Sequence, residues 1–259
     1  MKRMPTEPLR VAAAQAESVS GDVEANVETA RRLVEQTADG DARLVVLPEL
    51  FLTGYTPGAW STIALPDDRL RPLAEVAARR HLTVVVSAGL DGGTGPTIGA
   101  LVVDGDGVRK AYDKQHLTDE EKSFFVPGST GGCIGLEGWR LGLGICYDGC
   151  FPEHAMAAAE EGAQAYLCPA AYYVGSEHRR DLYYAARALD NGMYVVLAGL
   201  TGRCGEHEFS GGSAVYDPEG RPIHRLGRKP GLVLADLDEQ EVRRVRAINP
   251  IGRDRAGAR

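Results

Sequence analysis

Cysteine is scarce in this chain of 259 residues: there are five, at positions 133, 146, 150, 168 and 204, with no CxxC pair among them. An odd number without paired spacing argues against a disulfide scaffold and against a structural zinc. A surplus of positive charge is also absent. The formal net charge of -7 and a pI near 5.4 argue against nucleic acid or an anionic membrane surface as the main partner, since either needs a basic face. No apolar run approaches the roughly 20 residues of a membrane span. The opening MKRMPTEPLR lacks the apolar segment of a secretory signal, so the expected location is the cytoplasm. What is present, 44% hydrophobic and 25% charged residues, is a globular composition with ample length to bury a core.

One stretch organises the rest. In LGLGICYDGCFPEHAMAAAEEGA, Leu141, Leu143 and Ile145 alternate with Gly142 and Gly144, the pattern of a strand whose second face lets another backbone come close. Pro152 and Glu153 then open an Ala-rich helix closed by Gly162. Strand, turn and helix put Cys146 at the carboxyl edge of a sheet, where α/β proteins collect reactive groups. Taken alone, a buried structural thiol is the commoner reading of such a cysteine. Its neighbours shift that balance.

Arg10 to Gln15 reads as a first strand, followed by an amphipathic helix through Val23, Val27, Ala30, Val34 and Ala38 with Asp22 as N-cap. LVVLPEL from Leu44 is an almost continuously apolar strand ending at Glu49, ahead of the glycine- and aromatic-rich loop FLTGYTPGAW. A helix from about Asp68 to Arg80, the strand LTVVVSAGL and a hairpin turning at Asp104 to Gly107 lead to Lys114. The loop QHLTDEEKSFFVPG then carries Glu120, Glu121 and Lys122. After Cys146 come the strand AQAYLCPA ending in Ala170, a helix from Ser176 to Asn191, the strand MYVVLAGL, a hairpin, the strand GLVLADLD and a helix from Glu239. The hairpins align at one offset: Gly99, Val102, Asp104 and Gly107 with Gly212, Val215, Asp217 and Gly220. LVVLPE is likewise echoed by AYLCPA. The expected architecture is α/β: a single domain over 1–259 with a core of about 9–238, built from two halves across a pseudo-twofold. The Arg-rich tail, 247–259, is expected to be flexible or to pack on a partner subunit.

Glu49, Lys114 and Cys146 each follow an apolar strand, so a parallel-type sheet is expected to bring all three to one edge. A cysteine nucleophile, with a free pKa near 8.5, needs a base beside it and a positive charge. Glu49 is the candidate base. If Cys146 attacks a carbonyl or nitrile carbon, Lys114 and the backbone N–H of Tyr147 are candidates to receive the negative charge, a contact worth roughly 3 to 4 kcal/mol when removed. Tyr55, Ala170, Tyr172 and Tyr173 are candidate pocket residues, with Glu177 or Glu206 available to attract a cation.

Four motifs in order, LPELFLTGY, YDKQHL, GICYDGCFPE and GGSAVYDPEG, resemble the carbon–nitrogen hydrolases of the nitrilase superfamily, over about Leu9 to Asp238. The family also has a second glutamate ahead of an F-x-PG element, and EKSFFVPG gives Glu121 that role before its neighbour Glu120. The resemblance implies an αββα sandwich of two pseudo-symmetric halves, a Glu49-Lys114-Cys146 triad, a thioester intermediate, no cofactor and no metal. It also implies a small-molecule amide as substrate and a homodimer or higher homo-oligomer paired through helices on one face. In that mechanism Glu49 takes the thiol proton and passes it to the departing ammonia or amine, and Glu121 orients the substrate nitrogen and supports Lys114.

Two other groupings compete. His116 with Cys146 suggests a papain-like pair, though the family motif uses that histidine structurally; Cys146 with Cys150 suggests a redox pair, disfavoured by a reducing cytoplasm. His154, His178 and His207 show no metal-ligand spacing. The leading expectation is hydrolysis of a small linear amide with release of ammonia; the alternative is an N-carbamoyl amine hydrolase. An inactive binding scaffold has no need to keep a buried Glu-Lys pair. Nitrile hydrolysis ranks lower because Tyr147 stands where resembling nitrilases most often have tryptophan. Relatives acting on carboxylate-bearing ω-amides commonly read CYDxRFPE, and here Cys150 stands at the arginine, so neutral or amine-bearing amides are expected unless Arg179, Arg180 or Arg203 reaches the site. Tyr183, Tyr184 and Leu189 are expected to cover a subunit seam or to pack on the sheet.

Overall fold

Strands apolar on both faces must be covered on both faces, and the chain supplies two sets of them. A computed structural model describes residues 7–256, so the first six residues and the last three of the expected tail lie outside the described residues. In chain order come β1 (Leu9–Gln15), α1 (Val23–Asp39), β2 (Leu44–Val46), α2 (Arg71–Arg80), β3 (Thr83–Leu90), β4 (Thr97–Asp104), β5 (Gly107–Asp113) and the one-turn α3 (Asp119–Lys122). Next are β6 (Gly132–Leu136), β7 (Trp139–Leu143), α4 (Pro152–Glu160), β8 (Ala165–Ala170), α5 (Glu177–Asn191) and β9 (Tyr194–Gly199). The chain continues through β10 (Thr201–Cys204), β11 (His207–Ser210), β12 (Ala214–Tyr216), β13 (Pro222–Arg225), β14 (Gly231–Leu237), α6 (Glu239–Ile248) and α7 (Ile251–Ala256).

One six-stranded sheet runs β14-β1-β2-β3-β4-β5 and the other β6-β7-β8-β9-β12-β13. The two orders match. Each has three parallel strands, an antiparallel hairpin on one side (β4-β5, β12-β13) and one antiparallel strand on the other (β14, β6). The sheets pack face to face, β1 against β9 and β2 and β3 against β8, with α1 and α2 outside the first and α4 and α5 outside the second. This is the αββα sandwich with two pseudo-symmetric halves. Ala12, Ala13 and Ala14 on β1 are fully buried and small, which lets β9 approach. Among the described residues no helix is long and apolar enough to cross a membrane.

Local chemistry sets the helices. The Asp22 carboxylate accepts from Ala25 N–H, satisfying one of the free donors at the start of α1, and Val23, Val27, Ala30 and Val34 bury one face at helical spacing. Helix α5 stops at Gly192, whose φ of 54° is left-handed.

Four expectations change or are narrowed. The loop after Lys114 contains α3, closed by a capping box in which Thr118 Oγ1 and the Glu121 carboxylate each accept the other residue's backbone N–H. A further hairpin, β10-β11, precedes the expected β12-β13. Part of the tail forms α7 and returns to its own chain, Arg255 Nη2 donating to the Asp190 carbonyl at 3.4 Å. Finally, of the two places expected for Tyr184, a subunit seam or the sheet, its full burial with the ring packed on Gly149 leaves the inside of the subunit; Leu182 and Leu189 are the exposed apolar residues of α5.

Candidate active site

Glu49, Lys114 and Cys146 meet, but not on the edge of one sheet: Glu49 and Lys114 follow β2 and β5 of the first sheet, while Cys146 follows β7 of the second. Face-to-face packing joins the two sets. The echoed strands β2 and β8 even touch at equivalent ends, Glu49 N–H donating to the Ala170 carbonyl at 3.4 Å.

Lys114, Glu49 and Glu121 are each fully buried. Lys114 Nζ donates to Glu49 Oε1 at 2.6 Å and to Glu121 Oε1 and Oε2 at 2.7 and 2.8 Å, and the Tyr55 hydroxyl donates to Glu121 Oε1 at 2.8 Å. Two carboxylates thus share one ammonium away from water, leaving one negative charge more than the cluster neutralises. Burial, reinforced by the Glu121 charge, pushes the Glu49 carboxyl up to about 7 despite Lys114. Burial alone would lower Lys114, but the Glu49 and Glu121 carboxylates outweigh it and hold the ammonium well above its usual range. Burial thus decides the direction for Glu49, and the two carboxylates decide it for Lys114. Glu49 Oε2 is buried without a hydrogen-bond partner, and the Cys146 thiol beside the carboxylate favours its ionised form.

Cys146 is 7% exposed and its φ of 43° lies in the left-handed region, a conformation costing of order 1–3 kcal/mol for a residue with a side chain. Burial, then the Glu49 charge, pushes its thiol well above the usual range, so the resting site holds a thiol rather than a thiolate. The thiol donates to the Ala171 carbonyl at 3.7 Å. The expected pocket residue Ala170 is fully buried, and its own carbonyl accepts from Leu200 and Glu49.

The strained turn is held by groups that the motif reading passed over. Asp148, fully buried, accepts at Oδ1 from Gln115 N, His116 N and His116 Nδ1, and at Oδ2 from Ile145 N and Tyr112 OH, tying the Lys114 segment to the Cys146 turn. Burial alone would raise this carboxyl; the His116 bond and the other donors hold it below its usual value. Tyr112 gives its one proton to Asp148, so His154 donates to Tyr112 through Nε2–H, and in the neutral ring Nδ1 then accepts from Tyr166 OH. Burial pushes His154 down, in keeping with that assignment. His116 is therefore tied to Asp148 and stacked on Phe151 with centroids 3.8 Å apart. An acid two residues past the cysteine, in CYDG, was the available signal.

Tyr55 packs edge-on against Trp60, Tyr173 and Phe209, with centroids 5.2, 6.1 and 5.6 Å away. Tyr173 donates to Glu120 Oε2 at 2.9 Å and stacks on His207, so Glu120 belongs to this aromatic rim and Glu121 to the buried cluster. Tyr172 OH lies 3.5 Å from Cys150 Sγ, and the Tyr147 ring is 38% exposed beside Phe151. Of the arginines, Arg180 is buried and committed to Ser210 Oγ, the Gly211 carbonyl and Asp181; Arg179 and Arg203 point to the exposed surface. Glu177 binds Gly175 N–H and pairs with Arg228, while Glu206 is exposed. Among the described residues no group of three or more His, Cys, Asp or Glu side chains is placed to hold a metal ion.

Against known proteins, residues 10–247 match the family profile described as carbon-nitrogen hydrolase. The deaminated glutathione amidase of Escherichia coli O157:H7 is 32% identical over 240 residues, spanning 88% of this chain and 90% of that protein. The 2-oxoglutaramate amidase of Bacillus subtilis is 30% identical over 87% of this chain and 89% of its own. Among solved structures, an amidase from Nesterenkonia sp. superposes with a TM-score of 0.81 at 31% identity, covering 93% of this chain and 95% of that one.

Proposed function

The chain belongs to the carbon–nitrogen hydrolase family of the nitrilase superfamily, and from that premise we propose that it hydrolyses a small linear amide, neutral or amine-bearing, through a thioester on Cys146. The observation that carries this reading is a single buried ammonium shared by two carboxylates beside a buried thiol. A Nesterenkonia amidase variant holds the acetamide moiety of fluoroacetamide covalently at its active-site cysteine, which supports a cysteine nucleophile here.

Because the thiol rests protonated, it needs a base at the moment of attack, and Glu49, with a free Oε2 and a carboxyl near 7, is suited to that task at neutral pH. Glu49 takes the Cys146 proton as sulfur bonds to the amide carbon; the carbonyl electron pair moves to oxygen. Lys114 Nζ and Tyr147 N–H receive that oxyanion, whose collapse expels the nitrogen with the proton that Glu49 returns. Water then attacks the thioester with Glu49 again as base, releasing the acid and restoring the thiol. Glu121 keeps Lys114 fixed and charged when Glu49 becomes neutral.

The test is ammonia release from a panel of aliphatic amides, ω-amides, carbamoyl amines and nitriles, with Cys146→Ala alongside. Turnover is expected for neutral or amine-bearing amides and none for the Ala variant. Release from carbamoyl amines alone replaces the amide reading with carbamoyl hydrolysis.

A further inference from the structure

On the reading that Tyr147 N–H receives the oxyanion, we propose that Tyr184 is a positioning residue that aims this donor by gripping the other end of the same peptide plane. The Tyr184 hydroxyl reaches in from α5 and donates to the Cys146 carbonyl oxygen at 2.9 Å, in a fully buried setting. The Cys146–Tyr147 peptide is trans, so its C=O and N–H point in opposite directions. Holding the oxygen from the α5 side therefore directs the N–H away from α5. The grip also polarises the amide, which strengthens the N–H as a donor.

The phenol is itself fixed. Its one proton goes to Cys146, and it accepts from Cys168 Sγ at 3.3 Å and Tyr172 OH at 3.5 Å. Its ring fills the space over Gly149, where an added Cβ would fall 2.6 Å from a ring carbon. A left-handed residue such as Cys146 persists only when its surroundings over-determine it, and rotation of this peptide is the motion that would relax the strain and turn Tyr147 N–H off target. Tyr184 blocks that rotation without touching the reacting atoms.

Tyr184→Phe keeps the ring and removes the grip. We expect kcat to fall about ten- to a hundredfold, less than for outright loss of an oxyanion donor, with KM changed less than about twofold. Inhibition by the aldehyde analogue of the substrate, whose adduct with the thiol places charge on oxygen, should weaken by the same factor. Reaction of Cys146 with methyl methanethiosulfonate forms a mixed disulfide and expels methanesulfinate with no carbonyl oxyanion, so its rate should stay near wild type. Cys168→Ala, which leaves the Tyr184–Cys146 bond in place but removes one of the two donors to the phenol, should lower kcat less than Tyr184→Phe does. The inference is overturned by an unchanged kcat in Tyr184→Phe, by a thiosulfonate rate that falls along with kcat, by an equal loss in Cys168→Ala, or by a Tyr184→Phe protein that does not fold. Hydrolysis surviving in Cys146→Ala defeats the underlying reading instead, whatever Tyr184 does.

Discussion

Replacing Glu49 with Gln removes one charge from a buried cluster of two carboxylates and one ammonium, and its clearest signature lies in stability rather than rate. In the unfolded chain Glu49 releases its proton near 4.5; in the folded protein burial holds it until about 7. Between those values the native state binds the extra proton, so stability is greatest below 4.5 and declines as pH rises through 7. At about 1.4 kcal/mol per pH unit, the wild type should lose about 3 kcal/mol across this window through Glu49 alone. Gln cannot titrate, and its amide oxygen still offers Lys114 an acceptor. Urea unfolding of both proteins from about pH 5 to pH 8 should therefore show the variant gaining on the wild type by up to about 3 kcal/mol, even as its turnover collapses for want of a base. A stability difference that stays flat over that range would refute the charge argument. The wild-type kcat/KM should correspondingly rise with pH through an apparent value near 7.

Cys146→Ala should abolish turnover while leaving the circular dichroism spectrum and melting curve close to wild type, since the sulfur lies at a strand end and leaves a small gap. With Cys150 standing where an arginine would grip a carboxylate, and Arg180 committed to Ser210 and Gly211, kcat/KM should favour a neutral aliphatic amide over a dicarboxylic acid monoamide of similar length; a preference of about tenfold or more for the acid, about 1.4 kcal/mol in the wrong direction, would sink the idea. Leu182 and Leu189, 58% and 42% exposed on α5, should be covered in a homo-oligomer, and a monomeric mass by light scattering at micromolar protein would oppose that.

Much of the sandwich was legible because burial writes itself into composition. β2 is LVV and β3 opens on three consecutive Val after Thr83, with every residue of both strands buried, and a residue such as Glu49 following such a run has to be explained. The partners that hold the turn left weaker traces. Tyr184 contributes only helical periodicity to its sequence, and nothing local says that its hydroxyl meets a carbonyl 38 positions earlier. Asp148 reads as a polar turn residue until five donors are found around it. The destination of β14 was equally hidden: GLVLADLD looks like any closing strand, and its pairing with β1, Leu237 opposite Leu9, is set by which edge stands open and not by a local pattern. β10 and β11 are four residues each and partly exposed, too short and polar to announce themselves.

The pairing of β14 with β1 has a consequence for how the protein is made. The sheet bearing Cys146 draws all its strands from one contiguous stretch, Gly132 to Arg225, whereas the sheet bearing Glu49 and Lys114 waits for Gly231–Leu237 to cover the flank of β1. Until those residues leave the ribosome, Leu9 to Gln15 presents an apolar strand with unpaired backbone groups, the kind of edge that recruits other chains. A nascent chain halted after Arg225 but before Gly231 would carry a complete nucleophile sheet beside an open, adhesive base sheet, so premature stops between those two codons should produce aggregates rather than weak enzymes.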